Sequence, residues 1–216
     1  MRVLRYLMLG LVVVSAGVAA NEAFKYFPVW HDTFHYFYVA VVAALVVRLR
    51  MTLDRERVLA RTDPLTGLPN RRTFNEVAEA HIRRMQRDRR PCTVLYIDID
   101  RFKYVNDAFG HQVGDALLRE VGATLVRHIR ACDTAARLGG DEFVVLLEGE
   151  QGEPAAGRLY EALLAIPRVP ELGVGFSLGA VSFRSPPPSA EDMIRRADSV
   201  MYVAKELGNQ VVHRVA

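Results

Sequence analysis

The sequence is poor in cysteine, since only Cys92 and Cys132 occur among 216 residues. Two isolated cysteines supply neither a disulfide framework nor a structural zinc site, so we expect both thiols to be reduced. A Walker-type P-loop and a paired CxxC pattern are also absent from the sequence. Any nucleotide chemistry must therefore use a phosphate site different from that of the P-loop enzymes.

Uninterrupted apolar runs of about twenty residues, the length of a membrane span, are absent as well. Tyr6–Ala20 and Phe34–Val47 are largely apolar and reach that length only with their flanks. Arginines precede the first segment and follow the second, and the positive-inside rule then places both flanks in the cytoplasm. We expect a membrane anchor over residues 1–47, with spans at about 3–20 and 30–47, in the bacterial inner membrane.

The first apolar segment also allows a second interpretation. Val18-Ala19-Ala20 resembles a cleavage site behind a basic start and a short apolar region, as in a signal peptide. After the second segment, residues 48–61 are rich in arginine, which anionic lipid attracts. We expect a linker helix over residues 48–61 that contacts membrane lipid, and no nucleic-acid partner.

The most informative feature is the run Arg137–Phe143, which reads RLGGDEF. Thr134–Leu138 and Phe143–Leu147 have the pattern of short strands, and a Gly-Gly connection supplies the positive φ angles of a tight hairpin turn. Glycine lets a phosphate approach the backbone, while Asp141 and Glu142 can hold a divalent cation or accept a hydrogen bond. An ordinary hairpin with acidic turn residues is the alternative.

A second acidic cluster follows the apolar strand pattern of Thr93–Ile97. Side chains two apart on a strand share a face, so Asp98 and Asp100 could converge on one cation, unless the strand ends at Asp98. Mg²⁺ commonly takes one or two carboxylates together with substrate phosphates. Solvated acids at a strand end are the alternative interpretation.

Groups suited to a nucleotide follow within a short stretch. Lys103 can neutralise a phosphate, whereas Asn106 and Asp115 offer the donor and acceptor edges that a purine base needs. The segment Phe109–Asp115 begins a helix that we predict to continue to about Ile129.

Together these motifs resemble the GGDEF domain of diguanylate cyclases, over about residues 62–216. Three further segments share the resemblance: Asp63–Phe74 (DPLTGLPNRRTF), Phe176–Val181 (FSLGAV) and Ala197–Gln210 (ADSVMYVAKELGNQ). In that family a dimer holds one GTP in each domain and condenses the two into cyclic di-GMP, with release of pyrophosphate. The resemblance therefore implies GTP as substrate, a homodimer, and two Mg²⁺ ions for each GTP.

The resemblance also implies a role for each matching position, with Asp141, Glu142 and Lys103 as the catalytic group. The implied residues are Asp98, Asp141 and the Ile99 carbonyl for Mg²⁺, Lys103 and Lys205 for phosphate, Asn106 and Asp115 for guanine, and Glu142 against the guanine or the nucleophile.

Asn209 stands where the family usually carries an arginine, four residues after Lys205. An amide cannot grip phosphate as a guanidinium fork does, so we expect weaker GTP binding. A degenerate domain that binds GTP or cyclic di-GMP without catalysis is the alternative. Arg130 and Asp133 match the RxxD pattern with which many relatives bind the product as an inhibitor, although an exposed ion pair would look the same.

The order of elements predicts an α+β fold. After the anchor, it reads strand, helix, strand, strand, helix, strand, helix, strand, which is typical of a mostly antiparallel central sheet with flanking helices. The resemblance implies the same palm-like sheet, with the helix and loop between Glu148 and Gly173 shorter than usual.

Overall fold

The computed structural model describes Val12, Ser15 and residues 28–59, 61–149, 152–208 and 211–216. The chain divides into two units, Met1–Ala60 and Arg61–Ala216. Apart from Val12 and Ser15, the predicted first span at residues 3–20, including the possible cleavage site, lies outside the described residues.

In the first unit, helix α1 extends over Pro28–Leu59. Among the described residues, no helix is both long enough and apolar enough to cross a membrane. The prediction of a span at residues 30–47 is therefore not supported. The physical reason is that the apolar stretch between Asp32 and Arg48 is shorter than the roughly twenty residues a bilayer core requires. The segment predicted as a linker helix from residue 48 continues the same helix to Leu59.

The second unit is a five-stranded mixed sheet with flanking helices, which confirms the predicted palm-like α+β fold. The strand order is β2-β3-β1-β4-β5, and all neighbours are antiparallel except β4 and β5. The strands are β1 Cys92–Asp100, β2 Thr134–Gly139, β3 Glu142–Glu148, β4 Gly175–Phe183 and β5 Val211–Val215. The helices are α2 Arg71–Asp88, α3 Phe102–Phe109, α4 His111–His128, α5 Gly152–Leu164, α6 Arg168–Leu172 and α7 Ala190–Glu206.

The sheet is covered on both faces, so the central strand β1 is buried along its whole length. Leu95 and Ile97 belong to a core shared with α4 and α5, whereas Val94 and Tyr96 belong to a second core shared with α2 and α7. A strand buried on both faces reads as a continuous apolar run, and that is the sequence pattern that precedes Asp98.

Helix α7 approaches β4 closely at Gly179. A Cβ atom there would overlap the backbone nitrogen of Met201 and the carbonyl oxygen of Ala197. Ser189 fixes the start of α7, because its hydroxyl accepts a hydrogen bond from the Asp192 amide over 3.1 Å. This close packing brings the end of α7 that carries Lys205 over the sheet.

The structure contains one helix, α3, that the sequence pattern did not predict. The helix predicted from Phe109–Asp115 to about Ile129 corresponds to α4, and Gly110, whose φ is 86°, separates α3 from α4. The region between Glu148 and Gly173 contains α5 and the five-residue α6. The positive φ of Gly110 ends α3, because glycine adopts such an angle without steric cost, and α4 begins at His111.

Candidate functional site

Strand β1 and the β2–β3 hairpin bring the predicted acidic residues to one end of the sheet. In the strand register, Asp98 lies across from Glu142 of β3 and from Ser177 of β4. Opposite residues of an antiparallel pair point to the same face, so Asp98 and Glu142 lie side by side on the face that also carries Tyr96. Strand β1 continues to Asp100, so the alternative in which it ends at Asp98 is wrong.

The hairpin turn is held by Arg137, whose guanidinium also binds a residue outside the hairpin. Gly139 and Gly140 have φ angles of 151° and 52°. The Arg137 guanidinium donates to the Gly140 carbonyl oxygen over 3.0 and 2.6 Å, and to Asp63 Oδ1 over 3.0 Å. Burial raises the pKa of Asp63, but its hydrogen bonds with Thr66 and Arg137 outweigh burial and leave that pKa below its ordinary value. The turn is thereby fixed to the segment that begins the domain.

Lys205 reaches the acidic cluster from α7. Its Nζ lies 2.6 Å from Asp98 Oδ1. Partial burial lowers the pKa of Lys205, but the hydrogen bond to Asp98 and the nearby charges of Asp98, Asp100 and Asp141 raise it above its ordinary value. A predicted phosphate ligand and a predicted metal ligand thus form one ion pair, and the ammonium neutralises part of the cluster.

Two carboxyl groups beside this pair hold their protons more tightly than usual. Burial, followed by the charge of Asp98, raises the pKa of Asp141. Burial also raises the pKa of Asp100, although Ser177 Oγ donates to Asp100 Oδ1 over 2.9 Å. Asp100 Oδ2 is buried, and no hydrogen-bond partner for it exists within the described ranges. Like charges crowded in this way are stabilised by a bound cation.

The donor set fits Mg²⁺, which prefers oxygen ligands. Asp98, Asp141 and Glu142 supply carboxylates at the end of β1 and at the hairpin, and the Ile99 carbonyl belongs to the same strand end. Within the part of the chain that is described, no three such side chains are already gathered around one point, and Asp98 is turned toward Lys205. These oxygen ligands therefore suit Mg²⁺, but the carboxylate side chains must change orientation when a cation binds.

The predicted guanine readers, Asn106 and Asp115, lie on opposite sides of the break at Gly110. Asn106 belongs to α3 and Asp115 to the first turns of α4, both partly exposed. A Cβ atom at Gly114 would overlap Asn106 Oδ1, so the Asn106 amide packs against the backbone next to Asp115. Lys103 is exposed on the first turn of α3.

The RxxD pair has a backbone role in the structure. Asp133 Oδ2 accepts the Arg130 amide and Oδ1 accepts the Glu148 amide, each over 2.9 Å. Arg130 and Asp133 also line a cavity of about 320 Å³ with Leu68 and Pro69. The carboxylate therefore braces the loop before β2 whether or not a ligand binds there.

Sequence reasoning missed the contacts that support these side chains. Gly175–Gly179 reads GFSLG, which fits the G-x-S-x-G pattern of serine hydrolases. Ser177 is nevertheless fully buried inside β4, not at a strand-to-helix turn, and its hydroxyl donates to Asp100. Arg137 gave no local signal of its contact with Asp63, because the two residues are distant in sequence.

Comparison with known proteins assigns this arrangement. Residues 60–210 match the family model of the diguanylate cyclase GGDEF domain. The chain belongs to the GGDEF family. Two relatives from Pseudomonas aeruginosa are the diguanylate cyclase DgcP, 39% identical over 162 residues, and the bifunctional diguanylate cyclase/cyclic di-GMP phosphodiesterase MucR, 41% identical over 163 residues. Each match covers 72% of this chain but 24% of the relative's length.

A solved GGDEF structure has the same fold. The coiled coil and GGDEF domain of DgcB from Caulobacter crescentus, crystallised with c-di-GMP, is 31% identical with a TM-score of 0.64. The match covers 82% of this chain and 97% of that one. The GGDEF assignment thus rests on sequence and on fold independently.

Proposed function

We propose that this GGDEF protein is a diguanylate cyclase that condenses two GTP molecules into cyclic di-GMP. In each half-reaction a ribose 3′-oxygen forms a bond to the α-phosphorus of the other GTP. The bond from that phosphorus to the β-phosphate oxygen breaks, pyrophosphate leaves, and the 3′-hydroxyl proton is released. The observation that carries the proposal is the meeting of Asp98, Asp141 and Lys205 at the strand end beside a glycine turn, in a chain of this family.

Each side chain has a task that fits its surroundings. Lys205 and Lys103 would bind phosphate oxygens, which phosphoryl transfer requires because charge develops there. Asn106 and Asp115 would hold the guanine edge. Asp98 and Asp141, with the Ile99 carbonyl, would hold Mg²⁺, which when bound supplies charge neutralisation at the transferred phosphate.

The register adds a candidate ligand to this set. Glu142 lies across from Asp98, so we assign it to the metal side of the site in preference to the guanine side. A homodimer follows from the reaction, because each domain offers groups for a single GTP and the attack requires two. The catalytic step would take place where the two sites face each other.

The test is product analysis by chromatography after the full chain is incubated with GTP and Mg²⁺, beside the variant Asp141→Asn. We expect cyclic di-GMP and two pyrophosphates per product from the wild type, and about a hundredfold less cyclic di-GMP from the variant, because the charge of one metal ligand is lost. A folded wild-type protein that binds GTP and forms no product would overturn the proposal.

Asn209 favours a second candidate, a degenerate domain that binds GTP or cyclic di-GMP and acts through protein contacts. The substitution Asn209→Arg separates the two. If weak phosphate binding is the only defect, this variant should bind GTP about tenfold more tightly, the usual gain from one bidentate charged contact, and its turnover should persist. Tight GTP binding with no turnover in either protein would favour the second candidate.

Product inhibition through Arg130 and Asp133 is also a proposal, supported by the cavity that they line. Arg130→Ala removes the exposed guanidinium and leaves the backbone brace of Asp133 in place. We expect this variant to bind cyclic di-GMP more weakly at unchanged GTP turnover. Equal affinity of wild type and variant for cyclic di-GMP, measured by calorimetry, would refute an inhibitory site.

The proposed location at the bacterial inner membrane, with the GGDEF domain in the cytoplasm and lipid as a partner, rests on the arginine pattern of the sequence alone. Cell fractionation of the full chain and of a chain lacking residues 1–20 tests it. A full chain recovered entirely in the soluble fraction would exclude this location.

A further inference from the structure

Helix α2 ends in a concentration of arginine. The segment from residue 83 to residue 90 contains five arginines and a single acid, Asp88. The arginines are Arg83, Arg84, Arg87, Arg89 and Arg90. Arg84 is partly buried and pairs with Glu148 over 3.0 Å, whereas the other four are exposed and form no salt bridge with any described residue. These four guanidinium groups are therefore available to a partner.

The helix itself accounts for only part of this charge. Arg87 lies in the last turn of α2, where a cation interacts favourably with the helix dipole. Arg89 lies beyond the last turn with a φ of 51°, and its amide donates to the Met85 carbonyl oxygen over 2.9 Å. Glycine is the usual residue at such a left-handed position, because a Cβ atom is disfavoured there. An arginine at this position indicates a role for its guanidinium outside the helix.

The arginines lie at the end of the sheet opposite the candidate metal site. They directly precede Cys92, the first residue of β1, and Asp98 is six residues further along that strand, a distance of about 20 Å at the rise of a strand. Phe183 of β4 lies across from Cys92, so the exposed Arg184 adds positive charge to the same end. The domain therefore has a basic end and an acidic end.

The chemistry of the basic end fits anionic lipid headgroups better than a protein or a nucleic acid. The exposed residues between the arginines are Gln86 and Asp88, so the surface lacks the apolar centre of a protein interface. Four free arginines are fewer than the roughly six to ten phosphate contacts of many duplex-binding proteins, and the segment has no aromatic ring for base stacking. A lipid surface requires neither shape nor stacking, because each arginine near it contributes separately.

We propose that Arg83, Arg87, Arg89 and Arg90 form a surface that binds anionic phospholipid headgroups and turns the candidate metal site away from the bilayer. The same lipids repel the acidic end of the domain, so charge alone selects this orientation. GTP can then reach the site from solution. The inference goes beyond the cyclase reaction, and it adds a lipid contact separate from that proposed for residues 48–61.

The experiment measures partition of the full chain, by sedimentation, into vesicles of phosphatidylcholine alone and vesicles of equal parts phosphatidylcholine and phosphatidylglycerol. The ratio of the two partition coefficients isolates the electrostatic contribution, because apolar segments bind both kinds of vesicle. The triple variant Arg87→Gln, Arg89→Gln, Arg90→Gln should lower this ratio about a hundredfold, at about fivefold for each arginine. Added salt should lower the ratio for the wild type as well. An unchanged ratio in the triple variant would overturn the inference.

The matched control removes three arginines from the other side of the sheet. Arg119, Arg127 and Arg158 are exposed on α4 and α5, which cover the opposite face from α2. Their replacement by glutamine changes the net charge by the same amount and should leave the ratio within about twofold of the wild type, because these side chains lie away from the lipid. Equal losses in the two triple variants would indicate an effect of net charge and would overturn a specific surface.

A single variant guards against a defect in folding. Glycine suits the left-handed position of Arg89, so Arg89→Gly should melt at the same temperature as the wild type or higher. Its partition ratio should nevertheless fall about fivefold, because one guanidinium is lost. A stable Arg89→Gly chain with the wild-type ratio would contradict the assignment of Arg89 to the surface.

Hydrogen–deuterium exchange of the full chain locates the contact, even if apolar segments hold the chain on both kinds of vesicle. Amides of residues 86–90 should exchange more slowly on the vesicles that contain phosphatidylglycerol, because the lipid covers them. Exchange over α3, which carries Lys103 and Asn106, should be the same on both. Slower exchange over α3, or unchanged exchange at residues 86–90 in the bound chain, would overturn the proposed orientation.

A short DNA duplex in place of the vesicles tests the other polyanion. A duplex that binds the wild type more tightly than the phosphatidylglycerol vesicles do, and that loses this binding in the triple variant, would make the basic end a nucleic-acid surface and overturn the lipid assignment. None of these measurements uses GTP. A chain without cyclase activity that still binds anionic vesicles through residues 83–90 would therefore defeat the cyclase and leave this inference intact.

Discussion

The negative charge of Asp141 lowers the stability of the folded protein. Its ionised carboxylate is disfavoured by burial and by the charge of Asp98, so the folded protein holds the Asp141 proton more tightly than the unfolded chain does. Stability of the wild type therefore falls as the pH rises from 3.8, the ordinary pKa, through the higher pKa of the folded state. At neutral pH the full penalty is present.

We predict that Asp141→Asn raises the melting temperature by about 2–4 °C at neutral pH in EDTA, which corresponds to about 1 kcal/mol for a chain of this size. The gain should shrink as the pH is lowered toward 3.8, because the wild-type carboxyl is then neutral too. Differential scanning calorimetry across this pH range measures it. In excess Mg²⁺ the order should reverse, and a variant less stable than wild type in EDTA would contradict the argument.

The predictable part of the site consists of residues that are close in sequence. The acids around Asp98 and those in the glycine turn could be identified because each motif contains its own strand end or turn. The pairing of Arg137 with Asp63 and of Lys205 with Asp98 spans 74 and 107 residues, and only the assembled sheet brings such positions together. Local sequence patterns therefore do not predict those contacts.

Among the elements, α7 depends on a single glycine for its position. We predict that Gly179→Ala lowers the free energy of unfolding by about 1–3 kcal/mol, because the new Cβ must displace the backbone of α7. The same displacement moves Lys205 from Asp98, so cyclase activity should fall as well. Urea unfolding measures the first effect and product formation the second.

Gly157→Ala is the matched control. Gly157 lies within α5, and a Cβ there would have no neighbour within 4 Å. This variant should be about 0.5–1 kcal/mol more stable than wild type, through helix propensity alone. If the two alanine variants change the free energy of unfolding equally, close packing of α7 on β4 does not contribute to stability.

The contact between Gly114 and Asn106 leads to a separate prediction about the binding of the guanine base. A Cβ atom in Gly114→Ala must push the Asn106 amide aside, and the loss of one hydrogen bond should weaken GTP binding about tenfold. Affinity for pyrophosphate, which lacks the base, should be unchanged. Calorimetric titration with both ligands tests this, and equal losses for both would place the defect at the phosphates.

On the scale of the elements, the strand pattern predicted the centre of the sheet because β1 and β4 are buried along their whole length and β3 is buried except at its two ends. The predicted span at residues 30–47 is not supported by any described helix, because the apolar composition over Phe34–Val47 indicates a helix but does not supply the length that a bilayer requires. The short helix α3 was not predicted, because its eight residues are too few to show a clear helical period.

For the whole molecule, the proposed reaction predicts dependence on protein concentration. If each chain holds one GTP, the rate at low concentration should rise with the square of the protein concentration and become linear once dimers predominate. Product formation over a dilution series, with light scattering for the molecular mass, measures this. A linear rate from a chain that scatters as a monomer would contradict the requirement for two facing domains.

Strand β1 has neighbours on both sides and no exposed residue, and this shapes the dynamics of the site. Its backbone amides can exchange with deuterium only when the sheet opens, so they should be among the slowest in the chain. We therefore expect the acids at its end to be carried by backbone that moves little. Electrostatic repulsion between these acids can rotate their side chains but cannot separate the paired strands. The backbone of the site therefore keeps its shape in the absence of a ligand.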